Sequence, residues 1–116
     1  MIEKIIYDFL TKDKSLPTCG FEFKEGKKEQ LVIERVGGDI DYISRAVFAV
    51  QVYGGSVANT AKLAKKVALK MPSLAEDRRI ISAKVSTIQN FADLTRKLQR
   101  YQLLVEIYYY EREETA

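Results

Sequence analysis

Three residues between a predicted strand and a predicted helix are of the types that bind phosphate in many proteins. Gly54, Gly55 and Ser56 lie within AVFAVQVYGGSVANTAKLAKKV, residues 46 to 67. The G-x-G-x-x-G spacing of dinucleotide folds and the G-x-x-x-x-G-K-[ST] spacing of the P-loop are both missing, and the nearest lysine, Lys62, falls inside the helix. We therefore predict a structural turn, in which the glycines adopt backbone angles costly for other residues and Ser56 caps the helix.

A second pair of residues could bind a divalent cation. Asp39 and Asp41, in GGDIDY, would share one face of a strand, and Glu34 is the only other carboxylate nearby in the sequence. A calcium loop needs denser oxygen ligands at fixed spacing, so a solvated turn is the expected structure. An enzyme that used these aspartates would need a third carboxylate close in space.

Other catalytic chemistry has few candidate residues. The sequence contains no histidine, which is the usual general base and the commonest protein metal ligand. The single cysteine, Cys19, excludes an intramolecular disulfide and a cysteine-based zinc cluster. We predict that the protein is not an enzyme and binds no cofactor.

Lysines form two groups that could make a basic surface for DNA: Lys24, Lys27, Lys28 and Lys62, Lys65, Lys66, Lys70. The net charge of +3 is small for a nucleic-acid-binding domain, and lysines at exposed helix positions are usually only solvated. A small nucleic-acid-binding module stays open as an alternative, and it requires the lysines to converge on one face.

The totals indicate one globular domain over residues 1–116. Hydrophobic residues make up 47% of the chain and charged residues 30%, as in ordinary globular proteins. Apolar runs are too short to span a bilayer, and Glu3 and Asp8 interrupt what would be the apolar core of a signal peptide. We expect a cytosolic chain that does not associate with a membrane.

Hydrophobic periodicity predicts an α+β domain in the order α-β-β-α-β-β, with a mainly antiparallel sheet and helices packed against it. A long loop, residues 12 to 30, holds a possible short strand at GFEF, and Gly37-Gly38 is predicted to end the first full strand as a turn. The helix after Ser56 carries a predicted core stripe of mostly small residues: Val57, Ala61, Leu63, Ala64, Val67, Ala68, Met71. The predicted elements are a helix over 2–11, strands over 31–36 and 45–53, the helix after Ser56, and strands starting at Arg79 and Arg100.

The last strand is rich in aromatic residues, and its two faces differ. The predicted core face consists of alternate residues: Tyr101, Leu103, Val105, Ile107, Tyr109. Tyr108 and Tyr110 then lie on the opposite face beside Glu106. Tyrosine is enriched in protein interfaces, so these three residues form a candidate contact surface, with packing in the core or at the sheet edge as an equal alternative.

Three segments together resemble the tail terminator, or tail-to-head joining, proteins of long-tailed bacteriophages: LVIERVGGD, VFAVQVYGGSVANTAKLAKKV and RYQLLVEIYY. The resemblance runs from about Leu31 to Tyr110 and lies in the order of elements. A strand ends in Gly-Gly, a second runs into V-x-V-Y-G, a small-residue helix follows, and the final strand opens with Arg-Tyr-Gln. Related neck, head-completion and minor capsid proteins share this pattern.

The resemblance implies a mechanical role. In that family a hexameric ring of identical subunits caps the finished tail tube, stops its polymerisation and presents a surface to the neck of the head. The implied partners are other copies of the chain, the major tail tube protein and a head-neck connector protein, with DNA only as cargo passing through the ring. The implied location is the tail or neck of the virion, after assembly in the host cytoplasm.

Overall fold

The computed structural model describes residues 2–110, which form two α-helices, a 3-10 helix and one five-stranded sheet. The predicted α+β class is therefore confirmed. No helix among these residues is long and apolar enough to cross a lipid bilayer. The elements are α1 (Ile2–Lys12), β1 (Thr18–Gly20), β2 (Glu29–Asp39), β3 (Ile43–Gly54), α2 (Val57–Lys70), the 3-10 helix (Met71–Glu76), β4 (Ile80–Asn90) and β5 (Arg100–Tyr110).

The sheet is mixed, with the strand order β1-β2-β3-β5-β4. β1 runs parallel to β2, whereas all other neighbours are antiparallel. The predicted element order is incomplete because it lacks β1. The short strand expected at GFEF, residues 20–23, is instead Thr18–Gly20, which shares only Gly20 with it. A three-residue strand is too short to show the alternation from which strands are predicted.

β2 is longer than predicted and passes through Gly37-Gly38 to Asp39, so these glycines do not form the turn. A bulge between Arg35 and Gly37 shifts the register with β3. Gly38 has a φ of 130°, and a Cβ there would overlap the main chain of Arg45 and Ala46 on β3. The glycine keeps the two strands paired where any side chain would separate them, and the turn falls at residues 40–42.

Both helices pack on one face of the sheet. α1 buries Ile2, Ile5, Ile6 and Leu10 against it, as the predicted apolar face indicates. α2 buries Ala64, Val67 and Met71 of the predicted stripe, and Leu63 and Ala68 pack partly buried against the same core. Thr60 is also buried and was not predicted. Val57, which begins the predicted stripe, is exposed.

β5 confirms the two predicted faces. Leu103, Val105, Ile107 and Tyr109 are buried under the helical layer, and Tyr101 is half-buried. Residues with the opposite parity lie on the other face of the sheet, which we call the open face. We call the end of the sheet at the β2–β3 turn the tip and the end where β3 leads into α2 the base.

Candidate interaction surface

Five apolar and aromatic side chains are exposed together at the tip of the sheet. We call them the tip cluster: Ile40, Tyr42, Ile43, Tyr108 and Tyr110. Ile43 pairs with Tyr110 across β3 and β5, and the rings of Tyr42 and Tyr110 meet edge to face with centroids 6.3 Å apart. Ile40 and Tyr42 are 76% and 65% exposed. Contiguous apolar exposure of this kind is typical of an interaction site.

Hydrogen bonds at the turn hold the tip cluster in place. The Ser44 hydroxyl, which is buried, accepts from the Asp41 N–H at 3.0 Å and donates to the Asp41 carbonyl at 2.9 Å. The Asp41 carboxylate in turn accepts from the Tyr42 N–H at 2.8 Å. These bonds fix the backbone between the strands, so Ile40 and Tyr42 are presented from a defined turn.

The turn also bears on the two aspartates considered for a metal. Asp39 is the last residue of β2, whereas Asp41 lies beyond the strand in the turn, so the two do not share a strand face. Both are exposed, and Asp41 lies in a turn as expected. Among residues 2–110 no group of three or more histidine, cysteine, aspartate or glutamate side chains is placed to hold a metal ion.

The structure brings the predicted interface residues Glu106, Tyr108 and Tyr110 onto the open face, with Tyr108 and Tyr110 36% and 38% exposed. Glu106 carries an ion pair, since Arg45 Nε lies 3.4 Å from its Oε2, and Lys84 is its register partner on β4. Its charge is therefore largely compensated. Ile40, Tyr42 and Ile43 extend the surface beyond the predicted residues. Periodicity along the sequence does not predict them, because Ile40 and Tyr42 lie in the turn and Ile43 directly follows it.

The base of the open face is covered by two loops instead of being exposed. The loop after β1 places Phe23 edge-on against Tyr53, with ring centroids 5.0 Å apart. The connection between β4 and β5 places Asp93 beside Tyr53, whose hydroxyl donates to the carboxylate at 3.0 Å. Arg96 lies over the Phe23 ring at 4.1 Å and joins the two loops.

Asp93 is the centre of a buried polar network. It accepts hydrogen bonds from the Arg96 main-chain N–H at 3.1 Å and the Arg96 guanidinium at 3.0 Å, and Arg100 lies 3.8 Å away. Burial alone would raise the pKa of Asp93, but the Arg96 and Tyr53 hydrogen bonds and the Arg100 charge outweigh it and lower that pKa. The pKa of Tyr53 is raised, mainly by burial and also by the Asp93 carboxylate.

The Gly54-Gly55-Ser56 turn joins β3 to α2, and each residue has a separate structural role. Gly55 has a positive φ of 87°. Gly54 does not have a positive φ, contrary to the prediction; it is the last residue of β3, and a Cβ there would lie 2.5 Å from Thr60 Cα. The Ser56 hydroxyl accepts from the Asn59 N–H at 3.1 Å and caps α2 as predicted.

The two groups of lysines lie on different elements, on α2 and on the loop between β1 and β2. Several contact other parts of the chain. Lys66 Nζ donates to the Ser15 carbonyl at 3.2 Å, and Lys70 lies 3.3 Å from Asp13 and 4.8 Å above the Phe9 ring. These contacts attach α2 to α1 and to the residues that follow α1, which gives part of the basic group a structural role.

Comparison with protein families and with curated protein sequences finds no match to this chain. The tip cluster is therefore the feature from which a function can be argued.

Proposed function

We propose that this protein is a structural subunit of a bacteriophage virion, which forms a ring on the end of the tail tube, stops its polymerisation and joins the tail to the head. The observation that carries the proposal is the tip cluster, which includes Tyr108 and Tyr110. The partners are other copies of the chain, the major tail tube protein and a head-neck connector protein. DNA passes through the ring only as cargo.

The tip cluster has the physical properties of a protein-binding surface. Tyrosines offer large apolar area at low entropic cost, because only two side-chain torsions must be fixed. Tyr108 and Tyr110 lie on β5, which is hydrogen-bonded to β3 and β4 on its two sides. Their backbone is already ordered before any partner binds, so association needs little further ordering at this point.

Replacement of both tyrosines tests the proposal. We expect Tyr108→Ser with Tyr110→Ser to retain the circular dichroism spectrum, because both side chains are more than a third exposed. An aromatic anchor lost from an interface centre commonly costs about 2 kcal/mol or more. Electron microscopy of tails assembled with the variant should therefore show over-long tubes that lack heads.

Leu69→Ser is the matched control, because Leu69 is 72% exposed but lies on α2 in the helical layer. Tails assembled with this control should have normal length. Tubes of normal length joined to heads in the tyrosine variant would contradict the proposal for these residues. Tubes of normal length without heads would instead indicate a different neck or head-completion protein.

A further inference from the structure

We propose that the solvent-exposed side of α2 binds the phosphate backbone of duplex DNA without reading its sequence. Three lysines on this side of the helix, Lys62, Lys65 and Lys66, are exposed, and we call them the α2 lysines. In the ring proposed above, they would face the DNA that passes through the channel. Only that placement rests on the proposed function, because the binding itself is a property of the single chain.

The positive charge of the protein is concentrated on α2. This helix contains four lysines and no acidic residue, a charge of +4, whereas the whole chain has a net charge of +3, so the other residues together carry −1. The lysines of the loop between β1 and β2 do not add to this charge, because residues 21–29 contain three lysines and three glutamates. Basic residues clustered along one helix are typical of a nucleic-acid-binding surface, and the small net charge of the chain conceals this clustering.

The fold places the α2 lysines together on the side of the helix that faces away from the sheet. Ala64 and Val67 are buried against the sheet, and at 3.6 residues per turn Lys62, Lys65 and Lys66 lie on the opposite side of α2. Lys62 and Lys66 are four residues apart, which is about 6 Å along the helix axis. Three positive charges therefore lie within about one helical turn.

Carboxylates do not compensate the charge of the α2 lysines. Among residues 2–110, none of the three forms an ion pair with an aspartate or glutamate. Lys66 Nζ donates to the Ser15 carbonyl at 3.2 Å, but this acceptor is uncharged, so the positive charge of Lys66 remains. The fourth lysine of the helix differs, because Lys70 lies 3.3 Å from Asp13 and is paired with it. The charge available to a polyanion is thus that of the α2 lysines.

The composition of this surface favours DNA over a protein or a membrane. Lysine is depleted from protein interfaces. α2 cannot insert into a bilayer, because its apolar side is already buried against the sheet. Lysine is a compact point charge that suits contacts with phosphate, and α2 contains no arginine, whose planar fork reads guanine. Contacts with phosphate alone carry no sequence information, so binding should be independent of sequence.

The salt dependence of DNA binding tests the inference. Fluorescence anisotropy of a short labelled DNA duplex, titrated with the full chain at several salt concentrations, gives the association constant at each concentration. Each phosphate that a lysine neutralises contributes about −0.9 to the slope of log association constant against log salt concentration. We expect a slope of about −3 for each bound copy, because three lysines are available. A second duplex of unrelated sequence should give the same affinity and the same slope.

Lys62→Gln with Lys65→Gln removes two of the three charges, and glutamine is a good helix former, so the circular dichroism spectrum should be unchanged. The slope should fall to about −1, with at least a tenfold loss of affinity at low salt. Lys62→Arg with Lys65→Arg should retain binding. Lys84→Gln with Lys97→Gln is the matched control, because it removes two charges from exposed positions outside α2, and its slope should remain native. The single variant Lys62→Gln, with a slope reduced by about 1, replaces the pair if the spectrum of the pair differs.

Three results would overturn the inference: no binding of the native chain to duplex DNA at roughly 50 mM salt, equal losses of affinity in the α2 variant and its control, or tighter binding to vesicles of anionic lipid than to DNA. The tail-capping role is tested separately. DNA binding through α2 by a chain that has no effect on tube length would keep this inference and reject the tail terminator. Normal capping by a native chain that does not bind DNA would keep the function and reject this inference.

Discussion

Replacing Gly54 with alanine should destabilise the protein more than the same change at its neighbour in the β3–α2 turn, Gly55. Gly54 ends β3 where the first turn of α2 crosses the strand. An added Cβ would lie 2.5 Å from Thr60 Cα and 2.6 Å from Thr60 N. Both atoms belong to the main chain, so no change of side-chain rotamer can relieve the contact.

The size of the effect follows from the movement required. Carbon atoms in contact prefer separations of about 3.5–4.0 Å, so α2 must move away from β3 by roughly 1 Å. Overpacking of this kind typically costs about 1–3 kcal/mol. The same shift would strain the hydrogen bond from the Asn59 side chain to the Gly54 carbonyl, which measures 2.6 Å. Alanine also restricts the unfolded chain more than glycine does. This effect stabilises the folded protein by about 0.4–1 kcal/mol and offsets part of the overpacking cost. We expect a net loss of roughly 2 kcal/mol.

Three other glycines separate the possible causes. Gly55 has a φ of 87° and its added Cβ would have only ordinary contact with Lys28, at 3.8 Å. Gly26 has a φ of 85° and open space around it. Alanine at either site should cost about 1 kcal/mol from the left-handed conformation alone. Gly37 has neither a positive φ nor a close neighbour, so Gly37→Ala should change the stability least.

Urea unfolding, followed by circular dichroism, measures the stability of all four variants. Midpoint urea concentrations are compared between variants whose dependence of unfolding free energy on urea is the same. A Gly54→Ala variant as stable as Gly37→Ala would refute the close approach of α2 to β3. Full recovery of stability in Gly54→Ala with Thr60→Ala would show that the Thr60 side chain, and not its main chain, is the obstacle.

Two further predictions concern buried groups. Asp93→Asn should lower the free energy of unfolding at neutral pH by about 1–3 kcal/mol, because a buried charge-assisted network is broken. Because the pKa of Asp93 is lowered in the folded protein, its contribution to stability is full above the ordinary value of about 3.9 and is lost as pH falls through the native pKa. The stabilities of the native chain and the variant should therefore approach each other in acid, and a difference that does not shrink as pH falls below about 3.9 would contradict this linkage. Burial raises the pKa of the Cys19 thiol to about 11, so little reactive thiolate is present at pH 8. A disulfide reagent at that pH should therefore modify Cys19 only as fast as the chain unfolds. Rapid labelling of the native chain would show instead that the thiol is accessible.

Local sequence patterns were sufficient for several elements. The apolar spacing in α1 and the alternation in β5 each identify a buried face, because a helix and a strand place side chains at fixed periods. The Ser56 cap could also be predicted, because its hydrogen bond joins residues only three apart in sequence, Ser56 and Asn59. In each case the determining contacts lie within one element or one turn.

Other features depend on residues far apart in sequence, and only the tertiary structure decided them. Two consecutive glycines are typical of a turn, yet Gly37 and Gly38 lie within β2, because the pairing of β2 with β3 continues to Asp39. Gly54 and Gly55 are adjacent, but one is required by the approach of Thr60 and the other by its own φ. The tip cluster combines a turn with two tyrosines of β5 that lie more than 60 residues later in the chain. Periodicity along the chain carries no information about such neighbours, because strand order and register are set by packing of the whole sheet.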